Sequence, residues 1–89
     1  MEPDLKKFRC LALAFEAIEK GGNMPCIVNA ANEIVNRAFL EDRCRFLQMS
    51  DIIAETMQRC TFSNHPDYDI YIQTDQEARR IAMELLSEK

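Results

Sequence analysis

Breaks are what this sequence has least of: 89 residues hold two glycines, three prolines and no tryptophan. An all-β fold needs turn residues every few positions, so a chain this poor in them is left with long elements, and these read as helices. The two glycines are adjacent, Gly21-Gly22, which rules out a G-x-G-x-x-G fingerprint or a glycine-rich phosphate loop; no nucleophile motif is present either. No apolar run approaches the ~20 residues needed to cross a bilayer. The opening Met1-Glu2-Pro3-Asp4 lacks the basic and then apolar stretch of a signal peptide.

Other absences narrow the function classes. Cys10, Cys26, Cys44 and Cys60 contain no C-x-x-C pair, the spacing by which one turn presents two thiolates to a structural zinc. Their even number makes a disulfide framework conceivable. The missing leader points instead to a reducing, cytoplasmic setting, with the thiols acting as small core hydrophobes. Positive charge is also short, with 11 basic against 15 acidic residues and a net charge of −4. Nucleic-acid binding draws on lysine and arginine displacing counterions, so an acidic domain speaks against it.

What is present fits one soluble globular domain. Hydrophobic residues make up 47% and charged residues 29%, and the length suits one compact unit with a modest core. Residues 1–7 are polar, contain Pro3 and read as a linker; residues 8–89 carry the domain. Phe8, Leu11, Phe15 and Ile18 recur at helical spacing, with Cys10, Ala14 and Ala17 as a second stripe, predicting a first helix that ends at Gly21-Gly22. A second helix is predicted from about Cys26 to Leu40, with Glu41-Asp42-Arg43 as its polar exit. Ser50 followed by Asp51 predicts the start of a third helix. Ile70-Tyr71-Ile72 reads as a short extended segment. Thr74 and Glu77 form a capping-box pattern opening the last helix, whose stripe is Ala78, Ile81, Ala82, Leu85 and Leu86. The fold class is therefore all-α, a small four-helix bundle-like domain.

Two groups stand out as candidate sites. In an extended loop, His65, Asp67 and Asp69 would share one side and could bind a cation; the plain alternative is a solvated acidic loop. Asn29, Asn32 and Glu33 fall at i, i+3 and i+4 inside an apolar helix, and asparagine is a poor helix former. They read either as a polar contact orienting a loop or neighbouring domain, or as capping of the helix start by Asn29. Glu33 has no acid–base partner near it in sequence.

The run Phe8-Arg9-Cys10-Leu11-Ala12-Leu13-Ala14-Phe15-Glu16-Ala17, then Val28-Asn29-Ala30-Ala31-Asn32-Glu33, Ala38-Phe39-Leu40, Arg45-Phe46 and the closing Asp75-Gln76-Glu77-Ala78-Arg79-Arg80 resembles the C-terminal domain of 1-deoxy-D-xylulose 5-phosphate reductoisomerases. The resemblance spans nearly the whole chain from Pro3-Asp4 onward, more loosely over residues 47–73. Arg9 departs from the proline usual in the family before the cysteine.

The resemblance implies an NADPH- and divalent-metal-dependent enzyme, using magnesium or manganese. It would convert 1-deoxy-D-xylulose 5-phosphate to 2-C-methyl-D-erythritol 4-phosphate in isoprenoid precursor synthesis. Such enzymes have an N-terminal NADPH-binding domain, a central catalytic, metal-binding domain that also forms the homodimer, and a C-terminal helical bundle. The residues that bind NADPH, metal and substrate lie in the first two domains, so no catalytic, cofactor-binding or metal residue is carried over onto this chain. The resemblance thus implies an accessory structural domain, inactive alone, that packs on the missing domains and leaves an exposed apolar patch where they sit. The competing expectation is a free-standing helical module that binds another protein in a groove between helices.

Overall fold

The computed structural model describes the backbone of residues 5–88 and the side chains of residues 9–88. Four helices follow one another: α1 (Leu5–Lys20), α2 (Met24–Leu40), α3 (Phe46–Arg59) and α4 (Tyr68–Glu88). The described residues contain no strand, as the all-α reading predicts. The linker expected over residues 1–7 is already helical from Leu5; its first four residues lie outside those described.

α2 is the central element, packing against all three other helices and most extensively against α4 and α3. Its buried side is made of Met24, Ile27, Ala30, Ala31, Val35 and Ala38. Three alanines on one face let neighbouring helices come close, and α4 answers with Ala78 and Ala82, both fully buried. Ile52 and Ile53 of α3 and Ile81 and Leu85 of α4 complete the core. Fully burying one such side chain is worth ~1.5–3 kcal/mol, which makes this cluster the main source of stability.

Local chemistry sets the ends of the helices. α1 stops because Gly21 and Gly22 turn left-handed, with φ of 69° and 57°. α2 then begins with Pro25 in its first turn, where a missing N–H costs nothing. At its far end the Arg43 N–H bonds the Ala38 carbonyl at 2.7 Å and the Asp42 N–H bonds that of Phe39 at 3.1 Å. This is a Schellman motif with Asp42, at φ 60°, where glycine is usual.

Two predicted helix starts lie more than a full turn too late in the chain. α3 opens at Phe46 and not at Ser50, because the Gln48 side chain accepts the N–H of Arg45 at 3.0 Å, so the glutamine half of a capping box starts the helix. Ser50 is buried within the helix, where its hydroxyl accepts from the Arg9 guanidinium. α4 opens at Tyr68, two turns before Thr74. Asp67 caps it by accepting the Ile70 N–H at 2.9 Å. That cap draws Ile70-Tyr71-Ile72 into the helix, overriding the β preference of the two isoleucines.

Candidate functional site

Asn23, in the turn between α1 and α2, is only 1% exposed. Its side chain ignores the helix that follows and reaches across the molecule. The amide nitrogen donates to the Thr61 carbonyl at 2.9 Å and to Thr74 Oγ1 at 2.8 Å. Its oxygen accepts the Ser63 N–H at 2.9 Å, while the Ser63 carbonyl accepts the N–H of Asn23 at 3.0 Å. One asparagine thus joins the α1–α2 turn, the segment after α3 and the middle of α4. The approach is so close that a Cβ on Gly22 would lie 2.2 Å from the Ser63 carbonyl oxygen.

Thr74 and Glu77 belong to this seam. The sequence pattern marks them as a helix cap, but both sit inside α4: the Thr74 hydroxyl accepts from Asn23, and Glu77 binds the segment after α3. The Glu77 carboxylate accepts the Thr61 N–H at 2.6 Å, and that bond is the main reason its pKa lies below the ordinary carboxylate value. Beside it, burial pushes the Cys60 thiol up to about 12, with the Glu77 charge adding to the effect. Cys60 therefore stays a neutral core residue. Every buried side-chain nitrogen and oxygen among the described residues has a partner. The seam is a structural joint, bordered by a shallow cleft of about 290 Å³ lined by Asn23, Thr61, Ser63, Thr74 and Glu77.

The candidates singled out in the sequence lie elsewhere. Asn29, Asn32 and Glu33 share an exposed face of α2. Glu33 forms an ion pair with Arg79 of α4, which also bonds Asp75 at 2.9 Å; these two carboxylates, Asp75 foremost, hold the Arg79 pKa above its usual value. Among the described residues neither the Asn29 nor the Asn32 side-chain amide has a hydrogen-bond partner, whereas the Asn32 carbonyl accepts from Asn36. Capping by Asn29 does not occur, since α2 begins five residues earlier, at Met24. His65, Asp67 and Asp69 do not converge: Asp67 is used as the cap of α4, and no metal-binding cluster of three His, Cys, Asp or Glu is found among the described residues. Cys44 and Cys60 are buried and Cys10 and Cys26 half-buried, with no disulfide among the described residues. No helix among the described residues is long and apolar enough to cross a membrane.

α1 departs most from the sequence reading. Its strongest apolar stripe faces outward, with Leu11, Phe15 and Ile18 exposed by 52%, 60% and 67%. The helix is instead seated through Ala17, with Cys10 and Leu13 packed beside it. Arg9 pins it to α3 through an ion pair with Asp51. Along the exposed stripe runs a groove of about 660 Å³ between α1 and α2, lined by Leu11, Ala14, Ile18, Val28, Asn29 and Asn32.

These features, a closed bundle with a satisfied interior and an open apolar face, coincide with a known domain. The model of the DXP reductoisomerase C-terminal domain matches residues 1–81. This chain belongs to that family. Relatives include the 1-deoxy-D-xylulose 5-phosphate reductoisomerase of Bacteroides thetaiotaomicron, 62% identical over 96% of this chain, and that of Phocaeicola vulgatus, 57% identical over 97%. The chain spans 22% of the length of each. Among solved structures, the reductoisomerase of Zymomonas mobilis in complex with NADPH superposes with a TM-score of 0.86 at 35% identity, covering 100% of this chain and 24% of that one. The family match takes in the stretch 47–73, where the sequence resemblance is loosest.

Asn23 is the residue that sequence reasoning passed over. It follows a Gly-Gly pair and precedes a helix, which marks it as a capping residue and hides its actual bonds. Its partners stand 38 to 51 residues away, beyond the reach of any local pattern.

Proposed function

We propose that this chain serves as the C-terminal helical domain of an NADPH-dependent reductoisomerase that converts 1-deoxy-D-xylulose 5-phosphate to 2-C-methyl-D-erythritol 4-phosphate. Membership of the C-terminal domain family, at 62% identity to a reductoisomerase, carries this reading. The domain's part is structural: a rigid body packed on the remainder of the enzyme, with residues ahead of α1 as the connection. NADPH and the divalent cation, magnesium or manganese, belong to the preceding domains. In support, the buried polar atoms of the described residues already bond one another, and no three of their His, Cys, Asp or Glu side chains converge. The complete enzyme is a cytoplasmic homodimer on this reading.

The test is complementation. A Bacteroides thetaiotaomicron reductoisomerase truncated before its C-terminal domain is assayed for substrate-dependent NADPH oxidation, alone and with this chain added. The chain alone turns over nothing; added to the truncated enzyme it raises activity or thermal stability. No gain in either would sink the reading.

A further inference from the structure

We propose that the exposed face of α1, with the groove it forms against α2, is the surface that receives the part of a reductoisomerase preceding the C-terminal domain. This deepens the function proposed above and rests on it.

α1 is the least enclosed of the four helices. It packs on α2 and α3 but makes no contact with α4 among the described residues. At 100° per residue, Leu11, Phe15 and Ile18 fall within about 60° of one another, a continuous stripe that borders the groove along Ala14. Three large apolar side chains, each more than half exposed on one helix face, form the kind of patch that marks an interaction site. The rival apolar corner, where α2 meets α3, is partly covered by itself: the rings of Phe39 and Phe46 pack edge to face at 6.0 Å. Among the described residues no comparable ring pairing covers Phe15.

The occupant follows from chain order and from the chemistry of the face. In relatives this domain is only 22% of the protein and is the C-terminal part, so the bulk of the polypeptide arrives at the start of α1. The helix that receives the incoming chain is the one that offers the bare stripe. Asn29 and Asn32 stand at the edge of the groove with unused amides, each with donors and an acceptor to offer. The matching surface is an apolar patch carrying hydroxyl, amide or main-chain groups opposite the two asparagines. A polar contact of this sort at the rim of an apolar seat fixes orientation more than it adds affinity.

The experiment titrates the truncated Bacteroides thetaiotaomicron enzyme with this chain as wild type, as Phe15→Lys and as Leu40→Lys, following heat of binding and, in the wild-type complex, amide hydrogen exchange. Phe15→Lys is expected to weaken binding about tenfold or more, Leu40→Lys to leave it within about twofold, and exchange to slow along α1. Wild-type binding undisturbed by Phe15→Lys, or protection confined to residues 39–47, overturns the assignment of the face and leaves the functional reading standing. Absence of wild-type binding overturns both. Sedimentation covers the remaining occupant: a dimer of this chain that Phe15→Lys dissociates, with binding to the truncated enzyme unchanged, makes the face a self-association surface and also overturns the proposal. The exchange measurement uses wild-type protein, so it decides the question even if Phe15→Lys fails to fold.

Discussion

Asn23 and the pair Asn29 and Asn32 lie within three helical turns of one another, and composition alone does not tell them apart. Asn23 is sealed inside, with its amide donating twice and accepting once. Asn29 and Asn32 lie on the surface beside an apolar groove, with side-chain amides unpartnered among the described residues. The difference shows how one residue type serves two purposes. A buried amide must satisfy its own groups within the fold, and so becomes a joint between distant segments. An exposed amide beside apolar surface stays available to something outside.

Replacement of the two kinds of asparagine breaks this comparison most directly. Asn23→Ala strands Thr74 Oγ1 in the buried part of the seam and the Thr61 carbonyl and Ser63 N–H in its half-buried part. It is expected to destabilise the isolated chain by about 3 kcal/mol, read from urea denaturation. A cost under about 1 kcal/mol would show that the seam relaxes and that Asn23 is no joint.

The neighbouring glycines give the next largest contrast. Both adopt left-handed φ, so alanine costs about 1 kcal/mol at either on backbone grounds alone. At Gly22 the new Cβ also meets the Ser63 carbonyl, whereas at Gly21 nothing lies within 4 Å. Gly22→Ala is therefore expected to lower stability by at least about 1 kcal/mol more than Gly21→Ala in the same melts. Equal effects would place the 61–63 segment farther from the turn than the structure has it.

Smaller and pH-dependent is the contribution of Glu77. Its pKa is lowered in the folded state, so the bond to Thr61 stabilises the fold fully above the ordinary carboxylate pKa. That contribution disappears as pH falls through the depressed folded value. Glu77→Gln should cost no more than about 1 kcal/mol near neutral pH. It should also flatten the acid limb of the melting temperature against pH; an unchanged limb would remove Glu77 from the seam's energetics.

Asn32→Ala is the mildest change. Alanine is the better helix former, and no bond within the described residues is lost, so the isolated chain should stay within about 0.5 kcal/mol of wild type or gain slightly. Loss appearing only when the chain is bound to the truncated enzyme would sharpen the contrast with Asn23. Equal loss in the free chain would erase it.

How much was legible follows the reach of each interaction. Helical periodicity, the break at Gly21-Gly22 and the polar exit at 41–43 are local, and all three appear where the sequence predicts them. Helix starts were harder because several residues compete for one end. Ser50 and Thr74 are good caps in isolation, yet Gln48 and Asp67 do the capping and the two hydroxyls turn to Arg9 and Asn23. The open face of α1 was legible as a stripe but not as an exposed one.

The sequence by itself determined that this is an all-α domain of the reductoisomerase C-terminal family, because periodicity, glycine placement and residue identity are written along the chain. The tertiary structure alone decided which stripe of α1 is buried and which asparagine is enclosed. Burial depends on what arrives from far along the chain: α2 and α3 receive Ala17, Cys10 and Leu13 of α1, and Thr61, Ser63 and Thr74 close over Asn23. α1 has apolar residues on more than one side, and only packing against real neighbours selects the side that leaves water.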